Sequence, residues 1–413
     1  MSRGIYECIN CGHREVRDST EALLENSCPK CGGDMVLVGF EIEPVGFEIR
    51  TTQQEESTEL TDILDEFYSL SFQKKEGDVS VFEVHEIRGR NFERVLRELE
   101  KLGYWAALKR KEGRILLYVF PAQHPREENP WIGILLFIAT VFTTLLAGYM
   151  LSAGYIATLN EYGLPGIHNS YLNAVAFSVS ILAILGTHEM GHKIAATYHG
   201  VRSTFPYFIP FPNILGTLGA VIRVKSPIPT RDAAIDLGVS GPLAGFLVAI
   251  PVTIIGLKLS VQVPASMISP TTGGIYFGEN LFFIILEKYI MAVPSNAVLF
   301  LHPVAIAGWI GILVTFLNLI PAAQLDGGHI ARAFMNGKLH HYLTIALGLA
   351  MVALSYLWVT WIIWGLLILL MSMAGNPGAL DEVTPISKKR LLFAAIAVLI
   401  FILSATPVPI KMG

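Results

Sequence analysis

Tyr171–Tyr198, YLNAVAFSVSILAILGTHEMGHKIAATY, is an apolar run long enough to cross a bilayer, and it holds Gly186-Thr187-His188-Glu189-Met190-Gly191-His192. His188 and His192 stand four residues apart, so a helix puts both on one face, where they can grip a single metal ion. Glu189 adjoins the first of them, and a carboxylate there can take a proton from metal-bound water. The alternative is two core histidines and a chance glutamate. Three polar side chains in a segment of lipid length cost too much for that reading.

Working outward, the composition agrees with a membrane setting. Hydrophobic residues make up 52% of the 413 and charged residues 15%. Long apolar runs crowd the part after Trp131, whereas the part before it is rich in Glu, Lys and Arg. The net charge of −4 is small and points to no nucleic-acid partner. The expected fold is a polytopic α-helical membrane protein of about seven transmembrane helices, with an N-terminal zinc ribbon and a small α/β domain ahead of it.

All four cysteines fall early, as Cys8-x2-Cys11 and Cys28-x2-Cys31 with sixteen residues between the pairs. Each pair can supply half of a tetrahedral thiolate cage, which predicts a structural zinc in residues 1–39. Two disulfides are the rival. No signal peptide precedes the cysteines, and paired x2 spacing favours metal. His13 is expected to be a bystander, since four thiolates fill the coordination sphere.

Residues 40–123 read as a small α/β domain on the cytosolic side, with no sign of catalysis. Helices are expected over Glu55–Leu70 and Asn91–Leu102. Strands are expected over Val79–Val84, Tyr104–Lys109 and Arg114–Phe120, the last two around a Lys111-Glu112-Gly113 turn. A charged, proline-bearing linker, 124–130, leads to the membrane part, 131–410. Spans are expected at Trp131–Ala153, Tyr171–Tyr198, Ala234–Leu257, Ala297–Ile320 and Leu391–Ala405. His341–Met373 would measure about 50 Å as one helix, too long for a single crossing, so two short spans turning near Ser355-Tyr356 are expected. Leu281–Val293, with Glu287 and Lys288 in its middle, is expected to stay outside, lying on the membrane surface or dipping into it.

Basic residues fix the orientation. With the ribbon in the cytosol, inner loops hold Arg202, Arg223, Lys225, Arg231, Arg332, Lys338, Lys388, Lys389 and Arg390, and outer loops hold little beyond Lys258, Lys288 and Lys411. The expected location is a cell membrane, multi-pass, with the N-terminal domain cytosolic; the charged, ribbon-bearing start suggests a prokaryotic, archaeal source.

Two histidines leave zinc short of a third protein ligand. Asn318-Leu319-Ile320-Pro321-Ala322-Ala323-Gln324-Leu325-Asp326-Gly327-Gly328 offers one, because Pro321 interrupts the span and the glycines let the chain bend around Asp326. An aspartate in an exposed turn is the alternative. Two crossings separate the histidines from Asp326, so both emerge at the same side of the membrane. His188 lies roughly 25 Å below Tyr171 at 1.5 Å per residue, a short way inside the cytosolic boundary of a core of about 30 Å.

These residues resemble the site-2 protease family of intramembrane zinc metalloproteases, on HEMGH at His188–His192 and Asn318-x-x-Pro321-x-x-x-Leu325-Asp326-Gly327. The resemblance extends through Gly216–Arg231, Gly241–Gly245, His302–Gly328 and Asn376–Pro409. These features resemble the branch holding the plant ethylene-dependent gravitropism-deficient proteins and their prokaryotic relatives. It implies that 131–410 is an intramembrane metalloprotease domain, with a catalytic zinc on His188, His192 and Asp326 and Glu189 as the base. Asn318, by analogy, would donate to the developing oxyanion or position substrate, unless it only bridges helices. His329 falls past the ligand and is not expected to bind. The implied partner is a transmembrane protein substrate in the lipid bilayer; oligomeric state is not legible.

A helical substrate hides its peptide bonds and must be unwound. Gly216–Val224, with Gly219, Ala220, Val221 and Ile222 at its centre, is expected to pair with the extended substrate as an edge strand. A loop packed on the bilayer is the alternative. A metal transporter, a non-catalytic metal-binding scaffold and a zincin acting on soluble peptides are the competing functions. Glu189 beside the first ligand, the single depth of the ligands, and the lack of a suitably placed later glutamate disfavour them.

Overall fold

The computed structural model describes residues 3–8, 10–11, 13–18, 27–40, 53–89, 91–123, 129–267, 275–294 and 296–412. Two units emerge, Met1–Glu59 and Leu60–Gly413. The stretch 41–52 of the expected α/β domain and residues 124–128 of the expected linker lie outside the described residues.

In the first unit, β1 (Arg3–Cys8), β2 (Arg14–Asp18) and β3 (Met35–Phe40) form an antiparallel sheet in the order β2-β1-β3. The turn after β1 closes with Cys8 N–H donating to the His13 carbonyl, and Cys28 N–H donates to that of Gly33. These two tight turns bring the four thiols together at the sheet end.

The second unit starts with a four-stranded antiparallel sheet. α1 (Gln53–Phe67) is followed by β4 (Tyr68–Glu76), β5 (Val79–Ile87), α2 (Phe92–Lys101), β6 (Tyr104–Lys111) and β7 (Arg114–Pro121), with sheet order β4-β5-β7-β6. The expected helix stops three residues early and β4, which was not expected, begins at once. Its Leu70 and Phe72 alternate with polar residues, a period of two that its lysines and glutamate disguise. α2 buries Phe92, Val95 and Leu99 on one face, and the Asn91 side chain accepts the Arg94 N–H to cap it.

The sheet's β6 edge is covered at Leu108. Leu108 N–H donates to Leu380 O at 2.9 Å, and Glu382 N–H donates to Leu108 O at 3.0 Å. On its other side the same 380–382 strap donates from Leu380 and Asp381 to the carbonyls of Ile228 and Pro229, both at 2.9 Å. A loop from late in the chain thus bridges β6 of the α/β sheet to the segment that leads into α5.

The helical part runs α3 (Pro130–Tyr162), α4 (Ser170–Tyr198), β8 (Tyr207–Pro210), β9 (Thr217–Val221), α5 (Arg231–Leu259), β10 (Val261–Pro264), β11 (Ile275–Phe277), α6 (Leu281–Ile290), β12 (Ala297–Phe300), α7 (Pro303–Asn318), α8 (Asp326–Phe334), α9 (Gly337–Leu354), α10 (Trp361–Ala374), α11 (Lys388–Ser404) and β13 (Ile410–Met412). Side-chain caps set the starts: Asn129 with Pro130 for α3, Asn169 for α4, Thr230 for α5, His302 with Pro303 for α7, Asn336 for α9. Phe177, Ile181 and Ile184 of α4 pack with Ile235 and Ala249 of α5 and Trp309 of α7 in one core. Phe142 and Met150 of α3, Leu349 of α9, Leu370 of α10 and Leu399 of α11 face outward. Polar groups are kept inside, as where Asn173 donates to Ser152 Oγ and the Thr144 and Ser178 hydroxyls meet at 2.7 Å. Apolar outside and hydrogen-bonded inside is the arrangement lipid demands.

Among the described residues, α3, α4, α5 and α9 are long and apolar enough to cross a membrane, and α7 and α10 are shorter apolar helices. The expected count of seven exceeds these four. The break in His341–Met373 falls where expected, between Leu354 and Trp361. Ala297–Ile320 is not one helix: Ala297–Phe300 is β12, paired antiparallel with β10, and α7 starts only at Pro303. Leu281–Val293, expected outside the crossings, contains α6. α6 buries Phe283 in the main core, and β11 beside it pairs with β13.

Candidate metal centre

α4 carries His188, Glu189 and His192 into the interior, 4%, 7% and 8% exposed. Asp326 opens α8, at the end of the turn that follows α7. The Nε2 atoms of His188 and His192 are 3.1 Å apart. Asp326 Oδ2 stands 3.3 Å from His188 Nε2, and its Oδ1 3.3 Å from His192 Nε2. Tetrahedral zinc at about 2.0–2.1 Å from each donor needs donors about 3.3 Å from one another. The two imidazoles and the carboxylate therefore suit that ion in both chemistry and spacing.

Supporting contacts orient the ligands. His192 Nδ1–H donates to the Leu237 carbonyl of α5 at 2.7 Å, which leaves its Nε2 lone pair pointing at His188 and Asp326. Glu189 Oε1 lies 3.9 Å from His188 Nε2, and the backbone N–H of Ile222, just past β9, lies near its carboxylate. The Asn318 side-chain amide, on the last turn of α7, comes within 3.3 Å of His188 Nε2. The expected residues Glu189, Asn318 and Ile222 thus gather around the same three donors. Gly219, Ala220 and Val221 lie along β9, whose one edge pairs with β8 through Tyr207 opposite Val221 and Phe208 opposite Ala220. His329, one turn beyond Asp326, stands outside the ligand cluster.

The close approach of α5 to α4 at Gly241, and to α8 at Gly238, depends on residues to which sequence reasoning assigned no role. A Cβ at Gly241 would stand 2.1 Å from His192 Nε2, and one at Gly238 would stand 2.6 Å from the Asp326 carbonyl. Both positions sit on one face of α5, at i and i+3, so the sequence held a signal: small residues at helical spacing.

Reasoning from sequence also missed the polar chain at the C-terminal end of α4. His199, the residue capping α4, is buried, with Nδ1 2.7 Å from Glu93 Oε1 of α2 and Nε2 2.9 Å from Asp236 Oδ2 of α5. Both partners are acceptors, so both ring nitrogens carry protons. Burial by itself would lower the His199 pKa, but the hydrogen bonds and charges of Asp236 and Glu93 outweigh it and raise it to about 9. Arg390 of α11 completes the chain by donating from Nη2 to Asp236 Oδ2 at 2.7 Å.

In the first unit, Cys8 Sγ is 3.4 Å from Cys31 Sγ and Cys11 Sγ 3.7 Å from Cys28 Sγ. Those gaps are far beyond the 2.05 Å or so of a disulfide and near the roughly 3.8 Å between thiolates on one zinc. All four cysteines are free thiols gathered in a single cluster. His13 is not part of it.

Residues 176–357, which hold this centre, match peptidase family M50. The match is to the family that the sequence resembles, the site-2 proteases. Among curated relatives, "Probable zinc metalloprotease EGY1, chloroplastic" of Arabidopsis thaliana is 30% identical over 244 residues, which cover 57% of this chain and 43% of that protein. Its namesake from Oryza sativa subsp. japonica is 28% identical over 299 residues, covering 68% and 50%. The chain thus spans about half the length of these relatives. Their names place them in plant chloroplasts and lend no support to the expected archaeal source. A solved structure, "Site-2 Protease from Methanocaldococcus jannaschii", aligns at 18% identity and a TM-score of 0.30, covering 58% of this chain and 92% of that one.

Proposed function

We propose that the protein is a membrane-embedded zinc endopeptidase that hydrolyses peptide bonds within or near transmembrane segments of other membrane proteins. One observation carries the proposal: two imidazoles from one apolar helix and a carboxylate from another present three donors at 3.1–3.3 Å. His188, His192 and Asp326 would hold the ion, leaving a fourth position open to solvent or substrate. Zinc held there supplies Lewis-acid polarisation of a carbonyl and a water acidic enough to lose a proton near neutral pH. Glu189 receives that proton and passes it to the leaving amine. The Ile222 N–H, which lies near the same carboxylate, would keep it facing the donors. Asn318, whose amide comes within 3.3 Å of His188 Nε2, would donate to the negative charge that develops on the scissile oxygen.

Substrate would bind as a strand. β9 has one edge on β8, and the Ile222 N–H beside it lies near Glu189. Pairing along Gly219, Ala220, Val221 and Ile222 would hold an unwound segment in register with the base.

Around this centre, α3, α4, α5, α7, α9, α10 and α11 would make seven crossings of a cellular membrane, with residues 131–410 as the protease domain and the N-terminal part in the cytosol. Residues 1–39 would bind a structural zinc through Cys8, Cys11, Cys28 and Cys31, and 40–123 would form the α/β domain. The test is purified full-length protein in lipid vesicles, with a panel of single-span substrates. Wild type should cleave at least one of them, and Glu189→Gln should lose cleavage by at least 100-fold while keeping its zinc. Equal cleavage by the variant would remove Glu189 as the base, and zinc moving across vesicles without any cleavage would make the protein a transporter.

A further inference from the structure

We propose that docking of the α/β domain sets the metal centre, through the chain Glu93–His199–Asp236–Arg390, with His199 as a positioning residue for His192. The inference rests on His188, His192 and Asp326 being the zinc ligands.

The four charges alternate in sign and come from four elements: α2, the cap of α4, α5 and α11. His199 lies between two carboxylates and donates to both, while Arg390 grips Asp236 from the far side through Nε and Nη2. Asp236 is therefore held from two directions. The next residue, Leu237, supplies the carbonyl that fixes the His192 ring. Loss of Glu93 leaves one face of a buried imidazolium without its acceptor, and such a group either sheds its charge or moves. Either response loosens Asp236, then Leu237, then the direction in which His192 Nε2 points.

A second attachment of the same domain leads to the other ligand-bearing helix. Leu108 of β6 is paired with the 380–382 strap, and Glu382 in that strap forms an ion pair with Arg332 of α8. Arg332 Nη1 also donates to Met335 O, where α8 ends, and Nε to Asn376 O. Asp326 is the first residue of α8. The domain thus holds α4 through His199 and α8 through Arg332, one contact for each side of the ligand set. A docked domain fixes the spacing between the histidines and the aspartate, and an undocked one releases it. Docking and undocking would then be the two states, with a contact at each ligand helix, and both ends bias the same equilibrium.

The test uses the full chain in lipid nanodiscs, loaded with cobalt as a spectroscopic substitute for zinc. The difference between wild type and His188→Ala isolates the membrane-site signal from the thiolate bands of the cysteine cluster. Chelator competition then gives the metal affinity of that site, and hydrogen exchange at α2 and β6 reports docking. Glu93→Ala should weaken cobalt binding about tenfold, the lower end for a residue that orients a ligand, and should raise exchange at α2. Glu93→Gln, which keeps a hydrogen-bond acceptor, should recover most of the affinity. Arg97→Ala, on the same helix, should change neither. If Glu93→Ala also exposes β5 and β7, so that the domain itself has lost its fold, His199→Gln gives the deciding measurement with the same expected loss. Undocking with unchanged cobalt affinity overturns the proposal. Identical cobalt binding by wild type and His188→Ala instead overturns the ligand assignment on which it rests.

Discussion

Gly241→Ala tests how closely the metal centre is built. The added Cβ would lie 2.1 Å from His192 Nε2, 2.4 Å from Cε1 and 2.5 Å from Cδ2. Ordinary contact begins near 3.5 Å, so ring and helix must part by about 1 Å or more. The ring cannot slide away freely, because its Nδ1–H is bonded to Leu237 on the same helix. Nor can α5 retreat, since its Ala249 lies in the core with Trp309 and Ile312 of α7. Overpacking of this kind costs about 1–3 kcal/mol, and the better helix propensity of alanine returns up to about 1 kcal/mol. The melting temperature should therefore fall by only a few degrees. The metal is far less forgiving, because a ligand tolerates roughly 0.2 Å of displacement. Zinc affinity at the membrane site should drop by about 100-fold or more, read by chelator competition, with cleavage falling in parallel. Gly154→Ala on α3, whose Cβ would meet nothing within 4 Å, is the control and should leave zinc binding untouched. Wild-type zinc affinity in Gly241→Ala would refute the close approach of α5 to His192.

Three further outcomes are expected. Asp326→Ala should release zinc from the membrane site while the thiol cluster keeps its own, so metal analysis should fall from two ions per chain to one; two retained ions would remove Asp326 as a ligand. Ile222→Pro deletes the N–H near the Glu189 carboxylate and should cut cleavage of a membrane substrate by 100-fold or more at unchanged zinc content, whereas Ile222→Ala keeps the N–H and should stay within a few-fold of wild type. Docking of the α/β domain should depend on pH. The His199 pKa is raised to about 9 in the folded protein, so the contribution of the protonated ring is complete below about pH 6.5 and is lost as pH rises through 9. The groups facing it are Glu93, Asp236 with its partner Arg390, and the Tyr198 ring. The protection factors of the α2 amides, which correct for the base-catalysed intrinsic exchange rate, should therefore fall between pH 8 and 10 in wild type but not in His199→Gln, and protection factors that stay constant in wild type would count against the ring's charge.

The centre was more legible than the frame around it. His188 and His192 at a spacing of four, and Asp326 after a proline and before two glycines, follow from helix periodicity and turn chemistry, and the structure brings the three together. The turn between α9 and α10 was legible because thirty-three apolar residues exceed one crossing. Ala297–Phe300 was misread because a short apolar run looks the same whether helix or buried strand, and His302 and Pro303, which start α7, were the signal that should have decided it. β4 was missed because exposed lysines and glutamate read as solvated helix or loop, and β4 belongs to the sheet only through its pairing with β5. Glu93, His199 and Asp236 carry no local pattern, since Glu93 and His199 are 106 positions apart. Gly238 and Gly241 were visible on one helical face, but only the packed helices reveal what each spares.

The strap across β6 has a consequence for how the chain is made. Leu108 is synthesised about 270 residues before Leu380, which at 5–20 residues per second is an interval of roughly 14–54 s. Throughout that interval the nascent sheet carries a bare strand edge, open to pairing with any other exposed backbone. Membrane insertion of the intervening helices must finish before the chain can seal it. Late stalling of the ribosome, or truncation ahead of residue 380, would then yield a chain that holds every metal donor and still aggregates through its first-made domain.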